Sequence, residues 1–225
     1  MVTTSSQVDV GIDKRSVYRY LGYGADGEPP PRISSLIDEY IDNAQQLIEP
    51  SYTYVVRNVL LHQGPRVLIE GPVVFQSEVV ARLLSRCRKV GVLVATIGGR
   101  LEEMARRLAH DGLLLQASVL DAIGSSTVET VAEVAQRVIA KRVSGEEDVT
   151  SRRFSPGYCD WDISQQLMVF RAVERDATEV QLTDDCLMIP RKSLSGIVGI
   201  GAADAGVKDY DPCGTCDRQD CGGRR

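Results

Sequence analysis

The sequence predicts a single main domain in which helices and strands are unevenly interleaved, of the α+β or mixed α/β class. Three observations carry this. The run VGVLVATIG (90–98) is almost continuously apolar and rich in β-branched residues, as a strand buried on both faces must be. Residues 114–141 instead place Leu120, Ile123, Thr127, Val131, Val134 and Val138 three or four apart, the stripe of a helix that buries one face. The chain has 225 residues, 43% hydrophobic and 25% charged, enough to bury a core without staples, and no internal repeat divides it.

The elements follow in order. Residues 1–12 are polar and are expected to be loose. Residues 13–22 form a short helix with Asp13 as its cap and Gly22 as its stop. GYGADGEPPPR (22–32) is a connector, and 33–49 is an amphipathic helix with Ile33, Leu36, Ile37, Tyr40, Ile41, Ala44 and Leu47 on one side. Strands are expected at 51–59 and 67–71, a helix at 78–87, the buried strand at 90–98, and a helix over 100–112 with Gly112 beyond its end. After the long helix, 143–151 is a charged loop. Residues 162–173 are helical, with Asp162 and Gln165 spaced as a capping box. Short strands are expected at 179–183, 186–190 and 195–201. The domain is therefore placed at 13–202, followed by a Gly-, Asp- and Cys-rich tail at 203–225.

Composition excludes several classes. A net charge of −5 with no long basic block argues against nucleic acid as partner. No apolar run approaches the roughly 20 residues that span a membrane. The N-terminus lacks an apolar signal core, so the chain is expected in the cytoplasm. There, its six cysteines are expected as thiols, metal ligands or redox groups rather than structural disulfides. With only His62 and His110, a His-rich metal centre is excluded; His110 ends a helix, where its charge suits the dipole, and His62 sits at a strand end on the surface. IGGR (97–100) and GIGAADAG (199–206) are too sparse for a dinucleotide fingerprint, and neither a P-loop nor a G-x-S-x-G occurs.

Three constellations carry chemistry. In RFSPGY (153–158), Pro156 and Gly157 favour a tight bend that lets backbone approach a ligand. Arg153 offers a planar fork for a carboxylate, and Tyr158 a flat face with a polar tip. The set suits a small molecule with a carboxylate at one end and a ring at the other; the plain alternative is a β-turn with an exposed Arg and a packed Tyr. The long helix has a second stripe of Ala122, Ser125, Ser126, Glu129, Ala132 and Glu133, with Gly124 beside it. Either these small residues admit a ligand, with Glu129 pairing an ammonium or sulfonium group, or they admit a neighbouring helix. In the tail, Cys213 and Cys216 form a CxxC with Cys221 five residues further on. Three such thiols can hold zinc or an iron–sulfur cluster, with Cys159 or Cys186 filling a fourth place, or run dithiol chemistry, or remain free. Cys87 lies on an apolar helical pattern and is expected in the core.

Four segments in the same order now resemble one family, the S-adenosylmethionine-binding activation domain of cobalamin-dependent methionine synthase. RFSPGY (153–158) is similar to its Arg-x-x-x-Gly-Tyr signature. TIGGRLEEMARRLAHD (96–111) resembles its strand followed by a Gly-x-Leu-Glu-Glu helix. LDAIGSSTVETVAEVAQRV (120–138) resembles the helix with its ligand-binding glutamate, which falls on Glu129. MIPRKSLSGIVG (188–199) resembles its Met-x-Pro…Ser-x-Ser-Gly entry. The resemblance covers about residues 90–200.

It implies a curved, mostly antiparallel sheet with flanking helices. It also implies a role, in which the methyl of S-adenosylmethionine is presented to an oxidised corrinoid cobalt while an electron donor reduces the metal. Arg153 would grip the ligand carboxylate and Glu129 its ammonium. Ser155, Gly157 and Tyr158 would line the adenosine site, with Ser195 and Gly196 on the opposite rim. The implied partner is a cobalamin-binding methyltransferase or corrinoid carrier in methionine synthesis or another corrinoid pathway, since this chain has no corrinoid module of its own. CDWD (159–162) replaces the family's His-containing stretch, and Ile197 and Val198 replace its aromatic pair. Two further readings compete: a corrinoid-protein docking module without methyl transfer, and a small redox or metal protein working through its tail cysteines.

Overall fold

The fold was described from a computed structural model covering residues 2–6, 8–24, 27–143 and 148–216. Its centre is a seven-stranded antiparallel sheet. The strands are β1 (Thr3–Ser5), β2 (Ser51–Gln63), β3 (Arg66–Ile69), β4 (Val73–Gln76), β5 (Lys89–Thr96), β6 (Asp148–Thr150) and, after a separate hairpin of β7 (Gln181–Leu182) with β8 (Met188–Ile189), β9 (Ser193–Ala202). They lie in the order β4-β3-β2-β5-β9-β6, with β1 alongside β2. With helices on its flanks, this is the α+β class.

β5 and β9 form the middle of the sheet, paired from Lys89↔Ile200 to Thr96↔Ser193. Both of their faces are covered, so their alternate side chains enter two separate cores. Val90, Val92, Val94 and Ile197 pack with α3 (Glu78–Leu84) and α6 (Gln166–Ala172). Leu93, Ala95, Val198 and Ile200 pack under α1 (Lys14–Tyr20), α2 (Pro31–Ala44) and α5 (Leu114–Val143), with Leu101 of α4 (Arg100–His110) joining them. This explains why 90–98 is apolar without alternation. Gly91 is required here: a Cβ would stand 2.9 Å from Val198 and 3.0 Å from Ile139 of α5. Asp13 caps α1 by accepting from the Arg15 N–H at 3.1 Å, as its position before the apolar pattern requires.

Several expectations are corrected. Residues 1–12 are not loose throughout, because β1 pairs Thr3–Ser5 with Tyr54–Tyr52 and Val8, Val10 and Ile12 pack against the α5-side core. β4 carries Val73 and Phe75 inward and adds a strand that its short sequence did not announce. The charged loop at 143–151 includes β6; residues 144–147 lie outside the described residues. Asp162 does cap its helix, accepting from the Ser164 N–H at 2.8 Å, but no capping box closes. The Gln165 side chain instead accepts from the Gln76 N–H of β4 at 2.9 Å. The core also runs past residue 202: Val207 is fully buried, and Tyr210 is buried with its hydroxyl donating to the Val79 carbonyl at 2.9 Å.

The single tryptophan is a core residue. Trp161 stacks on Phe154 with centroids 5.7 Å apart and meets Phe75 edge-on at 5.5 Å. Replacing a large buried aromatic by alanine removes its transfer energy and leaves a cavity. The Trp161→Ala variant is therefore expected to be less stable by about 3–5 kcal/mol. Urea unfolding should show this as a lowered midpoint with an unchanged slope.

Candidate functional site

Residues 151–161 are held against the free edge of β9 beyond β6. The Ser151 N–H donates to the Gly199 carbonyl at 2.9 Å, and the Gly199 N–H donates to the Ser151 hydroxyl at 2.9 Å. Phe154 and Ile197 exchange two backbone hydrogen bonds, 2.9 and 2.8 Å long. Successive side chains of such an extended segment point to opposite faces. Phe154 accordingly enters the core with Trp161, while Arg153 meets α5. Gly196 permits this close seating: a Cβ there would lie 2.8 Å from the Phe154 carbonyl oxygen, 2.9 Å from Arg153 Cγ and 3.0 Å from Ser155 Oγ.

Arg153 reaches Glu129. Its Nη2 lies 2.5 Å from Glu129 Oε2, with the two side chains 14% and 34% exposed. The sequence analysis assigned these two residues to opposite charges of one ligand, and the fold brings them together. An adjacent cation and anion, each reachable from solvent on one side, complement the carboxylate and ammonium of an α-amino acid. The small residues of α5 divide between two roles. Gly124 admits Leu101 of α4, where a Cβ would be 2.8 Å away, and the Ser126 hydroxyl donates to the Asp13 carbonyl beside α1 at 3.3 Å. These contacts are helix packing. Ala122 and Ser125 instead face a cavity of about 1080 Å³.

The bend itself is built as its composition requires. Gly157 has φ +94°, a left-handed conformation open to glycine, and its N–H donates to the Trp161 carbonyl at 2.7 Å. Tyr158 projects outward and is 53% exposed. The Ser155 hydroxyl donates to the Ser195 carbonyl at 2.6 Å. Ser195 is buried, its own hydroxyl donates to Gln166 Oε1, and Gln166 in turn donates to the Cys186 carbonyl at 3.2 Å. Ser195 and Gly196 thus brace the bend from beneath. Ile197 and Val198 are fully buried, one in each core.

Two residues that sequence reasoning did not assign complete the bracket. Asp160 caps α3 from outside, accepting from Ser77 Oγ at 2.6 Å and from the Glu78 N–H at 2.5 Å. Gln166 ties α6 to β9. For Asp160 the only signal was its place in an acidic turn; for Gln166 there was none, because its partner is distant in sequence.

The cavity is offset from the Arg153–Glu129 pair. Its walls include Tyr20, Glu102, Ala122, Ser125, Arg191 and Lys192, and neither Arg153 nor Glu129 is among them. Much of its charge is spoken for. Lys192 Nζ lies 2.8 Å from both Asp121 Oδ1 and Ser125 Oγ, and Glu102 Oε2 accepts from the Arg191 N–H at 2.8 Å. Hydrogen bonds from Arg106 and then Arg107 hold the Glu103 carboxyl down at about 2. Volume marks this cavity, whereas an ion pair beside the bend marks the other position.

The cysteines separate into two groups. Cys87 is a core residue: its thiol donates to the Leu83 carbonyl at 3.2 Å, and burial pushes it up to about 12. Cys186 is also buried. Cys213 and Cys216 lie beside Cys159 at the end of the bend; Cys221 is outside the described residues. Burial, and then a hydrogen bond to the Cys216 side chain, push the Cys159 thiol up to about 12. Among the described residues no group of three or more His, Cys, Asp or Glu side chains is placed to hold a metal ion. Zinc or iron–sulfur ligation at Cys213, Cys216 and Cys221 therefore gains no support from the described part of the tail.

A methyl added at Gly196 has nowhere to go except into the bend's backbone. Gly196→Ala is expected to destabilise the fold by about 1–3 kcal/mol through overpacking. It should also displace Arg153 from Glu129, which a shift of the Arg153 side-chain resonances would report.

No protein-family model and no curated protein matches this chain. Among solved structures, it is similar to the crystal structure of the MetH reactivation domain bound to AdoHcy, with a TM-score of 0.58 and 14% sequence identity. The match covers 88% of this chain and 78% of that one. Its α+β architecture, an antiparallel sheet with helices on its flanks, is thus the fold of that reactivation domain.

Proposed function

We propose that this protein binds S-adenosylmethionine at the Arg153–Glu129 pair and the RFSPGY bend, and supports reductive remethylation of a corrinoid held by a partner protein. The observation that carries the reading is the pair itself. Two residues 24 positions apart in sequence are brought within 2.5 Å, one with the charge and shape to take a carboxylate and the other to take an ammonium. The likeness to a reactivation domain bound to AdoHcy, a molecule with the same amino-acid end, supports it.

In this reading the chain does not need a general base; it needs position. S-adenosylmethionine, when bound, supplies an electrophilic methyl on a positively charged sulfur, and the partner's cobalamin, reduced by a separate electron donor, accepts it. Arg153 and Glu129 exchange their mutual contact for the two charges of the ligand, which fixes its amino-acid end. The backbone of Ser155 and Gly157 and the exposed Tyr158 ring receive the adenosine end. Ser195 and Gly196 keep that surface rigid by bracing the bend. Glu129 lowers the cost of placing a net positive ligand there.

The partner in this proposal is a corrinoid-binding methyltransferase or corrinoid carrier in the cytoplasm. Among the described residues, no helix is long and apolar enough to cross a membrane.

Calorimetric titration of S-adenosylmethionine into the whole protein tests the site. Each charged hydrogen bond contributes roughly 1.5–3 kcal/mol. Arg153→Ala and Glu129→Gln should therefore each weaken binding by about ten- to a hundredfold. Absence of binding to the unaltered protein would sink the reading. Binding without remethylation of any corrinoid partner would reduce it to a ligand-dependent docking module.

A further inference from the structure

The tail returns to the site. Beyond β9, Val207 and Tyr210 anchor the chain in the α3-side core, and this carries residues 211–216 across the end of the bend. There Asp211 organises the turn, accepting from the Cys213 N–H at 2.9 Å and the Gly214 N–H at 3.1 Å. Cys159, immediately after Tyr158, has its sulfur 4.0 Å from the Pro212 carbonyl oxygen. Its thiol also hydrogen-bonds the Cys216 side chain. Cys159 sits at φ +52°, a left-handed conformation that a β-carbon disfavours, so the surrounding contacts hold it there. Cys159 thus lies against the turn that carries Cys216, and both thiols are partly accessible.

We propose that Cys159 and Cys216 form a reversible dithiol–disulfide couple that staples the tail to the ligand-binding bend. The oxidant is a low-molecular-weight or protein disulfide. One of the two sulfurs attacks it and releases the first thiol. The other sulfur attacks the resulting mixed disulfide and releases the second. Two cysteine thiols and one external disulfide become one internal disulfide and two external thiols, with the two protons leaving on the products. A dithiol reductant reverses the exchange. The couple does not depend on a ligand, so it stands or falls separately from the proposed S-adenosylmethionine site.

Its test uses the full-length reduced protein, desalted and incubated with oxidised glutathione without S-adenosylmethionine. Free thiols are then blocked by alkylation, and the digest is mapped by mass spectrometry. The expected result is the loss of two alkylatable thiols and a peptide joining Cys159 to Cys216. Dithiothreitol should remove it, Cys213→Ser should keep it, and Cys216→Ser should lack it. A disulfide confined to the tail with Cys159 alkylated would overturn the proposal. So would the absence of any internal disulfide, or tightly held stoichiometric metal that must be removed before exchange occurs. Mapping of the unaltered protein decides the matter even if a Cys159→Ser variant fails to fold.

Discussion

Everything in the candidate site depends on how closely residues 151–161 approach β9. Backbone hydrogen bonds at Ser151 and Phe154 fix the register, and Gly196 provides room. Once that register is set, one residue cannot turn without turning its neighbours, because alternate side chains go to opposite faces. Arg153 is sent to α5, Phe154 to the core beneath Trp161, and Asp160 to the first turn of α3. The outward side of the bend and its core-facing side are products of one strand-like pairing.

That arrangement has an electrostatic logic. An arginine 14% exposed is poorly solvated and needs an anion; without a ligand, Glu129 supplies it. The pair therefore neutralises both charges beside the bend while leaving each partly open to solvent. In the proposed function, the cost of separating them is offset when each finds an equivalent partner on the same ligand. The cavity farther along α5 has an ion pair of its own, Lys192 with Asp121, but lies away from the bend.

Much of this was legible in the sequence, and the failures have physical reasons. The buried strand at 90–98 and the helix over 114–141 were readable because each pattern repeats over many residues. Asp13 was readable because a cap is local. Glu129, Arg153, Ser155, Gly157, Tyr158, Ser195 and Gly196 were singled out as cofactor-binding, but the supporting function of Ser195 and Gly196 was not legible. That function consists of a buried hydroxyl and a missing Cβ, and both acquire meaning only when another segment lies on them. β1 and β4 were missed because three- and four-residue strands are specified by the edge they join, not by their own sequence. Trp161 drew attention as part of an unusual cluster, yet its place in the core depends on Phe75 and Phe154, far apart along the chain.

The anchoring of Tyr210 and Val207 sets where this chain tolerates being shortened. The last strand ends at Ala202, which makes that residue an inviting boundary for an expression fragment. Cutting there would strip two side chains from an interior that includes Val79, Cys87 and Val90, and would remove the hydrogen bond from Tyr210 to the Val79 carbonyl. Cutting after Tyr210 would spare that interior and remove residues 211–225, with the thiol-bearing turn among them. The natural seam between the body of this protein and its appendage therefore lies eight residues beyond the end of its sheet.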